Sequence, residues 1–69
     1  MGKTSIRNNI RRLRFEANEM TQAELAEKVG VTRQTLNAIE AAKYSPTLEL
    51  AFKIAKVFDV PLDEVFQYE

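Results

Sequence analysis

Arg33, Gln34 and Thr35 follow one another, with Asn37 and Ala38 close behind. The chemistry these side chains offer is multidentate hydrogen bonding rather than bond-making. An arginine fork matches O6 and N7 of guanine, and a glutamine amide matches N6 and N7 of adenine, when a helix enters the major groove N-terminus first. The first turn of such a helix also favours phosphate, because its free N–H groups and the positive end of its dipole point outward. Bond-making chemistry has little to work with. The chain has no cysteine and no histidine, which removes disulfides, zinc fingers, thiol nucleophiles and imidazole acid–base catalysis together.

Two short helical patterns position those residues. Thr21 with Glu24 has the spacing in which each side chain bonds the other residue's free backbone N–H, so a helix is predicted to start at Gln22. Leu25, Ala26 and Val29 then form one inward stripe, leaving Glu24, Glu27 and Lys28 toward water. Gly30 follows, and glycine enters the left-handed conformation of a helix end without a Cβ penalty. Val31 is apolar enough to plug the angle between two helices. Thr32 is a good N-cap for a second helix, Arg33 to about Ala41, with Leu36 and Ile39 inward. The pattern is helix, tight turn, helix.

Sixty-nine residues make one domain, and a domain of that size buries only about 60% of its unfolded surface. With no signal peptide and no long apolar run, a soluble cytoplasmic protein is the default expectation. The formal net charge is zero, which by itself argues against indiscriminate nucleic-acid binding. The distribution is uneven: Lys3, Arg7, Arg11, Arg12 and Arg14 precede any acid, whereas the segment after Pro46 has five acids against Lys53 and Lys56. Such asymmetry fits a DNA-facing side and an acidic far side, and equally a solvated helix face.

Met1 to Thr4 are expected to be loose. Ile6, Ile10, Leu13 and Ala17 have helical spacing and predict a first helix from about Asn8 to Asn18, capped by Asn8 or Asn9. Pro46 disfavours a helical residue before it, and Thr47 caps a fourth helix to about Phe58. In that helix Leu48, Ala51, Ile54, Ala55, Val57 and Phe58 cover more than one stripe, which predicts burial on two sides. Pro61, followed by Leu62, Val65 and Phe66, predicts a short fifth helix. Core packing is the simple reading of the aromatic residues. Phe52, among the exposed Glu49, Lys53 and Lys56, fits it poorly. A small domain has trouble covering Phe52, Phe66 and Tyr68 unaided, which favours a partner subunit over some of them.

The spaced positions Thr21-Gln22, Leu25-Ala26, Val29-Gly30-Val31, Thr32, Ile39-Glu40, Lys43 and Pro46, continued by LELAFKIAKVFDVPLDEVFQYE, resemble the phage-repressor (Xre/Cro-like) family of helix-turn-helix transcriptional regulators. The resemblance covers the chain from about Ile6 and is closest to a very small, cytolysin-regulator-like subgroup. It implies an all-α, compact five-helix repressor-like DNA-binding domain in which residues 33–41 form the recognition helix. It also implies a short two-stranded antiparallel ribbon pairing Ser5–Arg7 with Phe66-Gln67-Tyr68. Arg14 and Glu40 occupy the family's positions for a structural ion pair, which is preferred over a phosphate contact for Arg14. Arg11 and Arg12 remain free to reach the DNA backbone. The stretch EANEM between the first two helices is one residue longer than the commonest family spacing. Ala42 replaces the family's usual glycine, and a left-handed nonglycine residue costs about 1 to 2 kcal/mol, so the recognition helix is open to running longer here.

The expectation is a homodimeric, sequence-specific regulator of double-stranded DNA, most simply a repressor on a near-palindromic operator. Arg33, Gln34 and Asn37 read bases, while Gln22, Thr32, Lys43, Tyr44 and Ser45 fix position on phosphates; Thr35 is open to either role. Lys43 stays divided between phosphate contact and ordinary helix C-terminal cation. Dimerisation falls to residues 47–69, with Phe52, Leu62, Phe66 and Tyr68 at the interface. Neither cofactor nor metal is expected, no membrane, and no inducer pocket is evident. The alternative from another class is a protein-binding module, such as the antitoxin half of a toxin pair, docking through the acidic C-terminal surface. An enzyme ranks third. Glu24, Glu27 and Glu40 have cap, surface and ion-pair roles, and no phosphate-binding glycine loop or nucleophile–base set accompanies them.

Overall fold

The computed structural model describes residues 5–68. Met1 to Thr4, expected to be loose, and Glu69, one of the acids of the C-terminal half, lie outside the described residues. In chain order the elements are β1 (Ile6–Asn8), α1 (Ile10–Glu16), α2 (Gln22–Val29), α3 (Arg33–Glu40), α4 (Leu48–Phe58), α5 (Leu62–Val65) and β2 (Phe66–Tyr68). The two strands pair antiparallel in the register Ile6 with Tyr68, Arg7 with Gln67 and Asn8 with Phe66. The five helices and the antiparallel ribbon are those expected, with the first strand one residue later than Ser5–Arg7.

Every helix sends at least one side chain to the centre. Ile10, Leu25, Leu36, Ile39, Ile54 and Val65 are all but inaccessible, and Leu13, Ala26, Val29, Leu50 and Ala55 complete the same cluster. No buried side-chain nitrogen or oxygen among the described residues lacks a hydrogen-bond partner. The core is apolar and closed, as a domain with so little interior requires.

Helix starts follow the threonines. Thr21 and Glu24 form the full reciprocal box, with the Thr21 oxygen accepting from Glu24 N–H at 3.0 Å and the Glu24 carboxylate accepting from Thr21 N–H at 2.8 Å. Thr32 and Thr47 accept from the N–H groups of Thr35 and Leu50, each at 3.1 Å. Those three side chains fix where α2, α3 and α4 begin.

The predicted first helix is corrected at both ends. Asn8 belongs to β1, and Asn9, at the N-cap position, makes no side-chain cap bond. The Asn8 Oδ1 accepts from Ile10 N–H at 3.1 Å instead. At the other end Asn18 and Glu19 both take positive φ, 63° and 57°, and two successive left-handed residues absorb the extra length of that connection. Pro61 is the N-cap of α5 rather than its first residue, and that helix is a single turn.

The recognition helix does not run on past Ala42. Ala42 has φ 59°, Lys43 N–H donates to Ala38 O and Ala42 N–H donates to Ile39 O, both at 3.0 Å. That is a Schellman closure with alanine in the place glycine prefers. Two satisfied carbonyls outweigh the steric cost of one left-handed alanine.

In α4 the buried side is Leu50, Ala51, Ile54 and Ala55, while Leu48 is 67% exposed. Leu48 was expected in the core. At about 100° per residue it lies beside Phe52 on the flank, away from the Leu50–Ile54 arc.

Candidate nucleic-acid interface

The α2–α3 pair is built around Gly30, whose φ of 80° ends α2. Its N–H donates to Ala26 O and Glu27 O, and Val31 N–H donates to Ala26 O at 3.0 Å. Val31 is half-buried against the core, which fixes the turn. Leu36 and Ile39 anchor α3 from its inner side.

On the opposite side Arg33, Gln34 and Asn37 are exposed, within an arc of about 100°. None of the three has a side-chain partner among the described residues. Their hydrogen-bonding groups are spent on nothing in the fold, while the helix that carries them is held at both ends.

Thr32 and Thr35 differ from that pattern. The Thr32 hydroxyl donates to Thr35 Oγ1 at 3.0 Å while accepting from Thr35 N–H. The two hydroxyls share one hydrogen bond, so one of them retains a hydrogen for an outside acceptor.

Glu40 ties three helices together. Its carboxylate accepts from Arg14 Nε at 2.7 Å and from a second guanidinium nitrogen at 3.0 Å, and from Gln22 Nε2 at 3.1 Å. Arg14 also donates to Met20 O at 2.8 Å. The Arg14 and Glu40 side chains retain only 14% and 8% of their accessible surface, so this is an internal bidentate pair. Gln22, expected on phosphate, uses one amide hydrogen here and has a second at the start of α2.

Arg11 joins this side of the molecule. It lines one shallow depression with Gln22, Asn37 and Ala41, and a neighbouring one with Phe15, Thr21 and Arg33. Sequence alone suggests a DNA-backbone role for Arg11 but does not bring it to α3, and Phe15, 69% exposed beside it, carries no such signal on its own. The signal was present as an i, i+4 pair on the outer side of α1. Arg12 points elsewhere and lies 3.8 Å from Glu16.

Lys43, Tyr44 and Ser45 are exposed in the loop after α3. Tyr44 borders a cleft with Gly30, Val31, Thr35 and Lys53, and so lies toward the α2–α3 turn rather than toward Gln34 and Asn37. Of the expected dimer residues, Phe52 and Tyr68 are exposed, whereas Leu62 and Phe66 are half-buried against the chain's own core. Among the described residues no group of three His, Cys, Asp or Glu side chains is placed to hold a metal ion. No helix among them is long and apolar enough to cross a membrane.

Residues 10–65 match the helix-turn-helix family, from the start of α1 to the end of α5. The chain belongs to that family. Other helix-turn-helix proteins resemble it along most of its length. An uncharacterized helix-turn-helix-type transcriptional regulator of Methanocaldococcus jannaschii is 56% identical over 52 residues, which is 75% of this chain and 79% of that protein. The transcriptional repressor RstR of the cryptic phage CTXphi, from Vibrio cholerae, is 40% identical over 58 residues, 84% of this chain and 51% of the repressor. A crystal structure of a Bacteroides fragilis protein shares the fold with a TM-score of 0.78 at 24% identity, covering 90% of this chain and 98% of that one. The phage-repressor-like resemblance read from the sequence is thus borne out, as is the assignment to helix-turn-helix transcriptional regulators.

Proposed function

We propose that this helix-turn-helix regulator binds double-stranded DNA sequence-specifically as a homodimer and acts as a repressor by occupying a near-palindromic operator. The observation that carries the reading is the outer arc of α3, where Arg33, Gln34 and Asn37 are exposed and unengaged on a helix closed at both ends. Arg33 and Gln34 address base edges and Asn37 follows one turn later. Arg11, Gln22 and Lys43 flank the arc as phosphate donors, with the Thr32–Thr35 hydroxyl pair between them; Tyr44 and Ser45 extend the backbone contact beyond α3.

One α3 spans only a few base pairs, and two related by a dyad read half-sites about 34 to 36 Å apart. A domain of 33 × 23 × 20 Å allows two abutting copies to reach that spacing. Leu48 and Phe52, one turn apart on α4 and both more than half exposed, give such a contact an apolar centre, with Tyr68 and the partly covered Leu62 and Phe66 at its edge.

Selection of bound duplexes from a random pool tests the reading as a whole, and should return a dyad-symmetric site. On that site Arg33→Ala or Gln34→Ala should cost about 1 to 3 kcal/mol and flatten base preference, while Lys43→Ala weakens all sequences alike. Equal losses on operator and scrambled duplexes for Arg33→Ala would remove the base-reading role.

A further inference from the structure

Asn8 sits where three elements meet. Its backbone is the last residue of β1, opposite Phe66, and its Oδ1 accepts from the first N–H of α1. Its Nδ2 donates to Ile39 O at 3.0 Å and to Glu40 O at 3.3 Å. Those carbonyls close α3. The Schellman bonds satisfy Ala38 O and Ile39 O and leave Glu40 O over, so the Asn8 amide supplies a donor to a carbonyl that the helix's own end does not reach. The partners also fix the amide's orientation: reversed, its oxygen would face two carbonyls and its NH2 group an N–H.

The neighbouring residue extends the tie. Asn9 N–H donates to Val65 O at 2.8 Å and Asn9 Nδ2 to Glu64 O at 3.0 Å, binding the same short segment to the end of α5. The end of α3 is therefore held from two sides, by Arg14 through Glu40 and by the ribbon through Asn8.

We infer that Asn8 is a positioning residue that transmits the state of the β1–β2 ribbon to the DNA-reading helix. With the ribbon paired, Asn8 is held against the last turn of α3 and fixes how its outer arc is presented. With the ribbon open, that turn loses its second support and discrimination between duplexes falls. The role in discrimination rests on the DNA-binding reading above; the clamp itself does not.

Asn8→Asp keeps the acceptor for Ile10 N–H, removes the donor to Ile39 and Glu40, and sets a carboxylate against the negative end of α3. Gln67→Pro disturbs the ribbon without touching Asn8, because proline fixes φ and lacks the N–H. Amide hydrogen exchange and duplex titration are read on both variants and on their combination. Exchange at Ala41, Ala42 and Lys43 should quicken in each variant, with Leu13 in α1 unchanged. Operator affinity should fall roughly ten-fold with little change on a scrambled duplex, since one part-buried acceptor loses its donor. The combined variant should lose no more than either alone, the signature of one shared route. Should Asn8→Asp unfold the chain, Asn8→Ala reads the same observables without the added charge. Unchanged exchange at Ala41 to Lys43, or additive losses in the combination, overturns the coupling. An unsubstituted chain that prefers no duplex, with the exchange response intact, overturns the DNA reading and leaves the clamp standing.

Discussion

The Glu40 carboxylate accepts from Arg14 twice and from Gln22 once, and its partners stand on two different helices from its own. An ion pair this enclosed gains its strength from geometry, since both groups have given up most of their water. Arg14→Met should therefore cost about 3 kcal/mol, because it leaves a nearly buried carboxylate without its counter-charge. Urea denaturation would show it as a lower midpoint with an unchanged slope. Arg14→Met combined with Glu40→Leu should recover most of that loss, and a combination as unstable as the single variant would refute the account. Arg14 and Glu40 could be paired in advance only through the family resemblance, because no periodicity links positions that far apart. The bonds from Asn8 to Ile39 and Glu40 had no such guide, and Asn8 read only as a helix cap. Local rules found Thr21, Thr32 and Thr47, whose partners lie three residues away.

Helices of eight residues are too short to stand alone, so their ends matter as much as their faces. Four helices close on a left-handed residue: Asn18 after α1, Gly30 after α2, Ala42 after α3 and Asp59 after α4. Only Ala42 combines a Cβ with no polar side chain to compensate. Ala42→Gly should stabilise the domain by about 1 kcal/mol, raising the thermal midpoint by about 4 to 8 °C. A fall in the midpoint would mean that the lost backbone restriction of the unfolded chain outweighs the relieved clash. The steric cost of a left-handed alanine leaves α3 open to running longer, but the turn satisfies the carbonyls of Ala38 and Ile39, and those bonds decide where the helix ends. The same local view put Leu48 in the core and passed over Leu50. Apolar spacing finds a stripe, but which stripe faces inward is decided by how α4 lies across α2 and α5.

For the molecule as a whole, an apolar core in one closed cluster leaves Leu48, Phe52 and Tyr68 outside it. Water-facing Leu48 and Phe52, a turn apart, favour a contact with a second copy. The chain should sediment as a dimer at micromolar concentration, and Phe52→Glu should shift it to monomer while lowering operator affinity. A monomer before substitution, or a dimer untouched by Phe52→Glu, would move the interface elsewhere. Phe52 was legible from its charged neighbours; Phe66 was expected at the same surface, yet it leans on its own core, because β2 folds back beside β1.

That return of the chain has a consequence for how the protein is made. Ile6 meets Tyr68 across all five helices, so zipping the strands closes a long loop, at an entropic cost that grows with the logarithm of its length. Helices α2 and α3 assemble from neighbours and have no such delay. The clasp should accordingly form late in refolding and fray early on warming, which amide hydrogen exchange along the two strands would show.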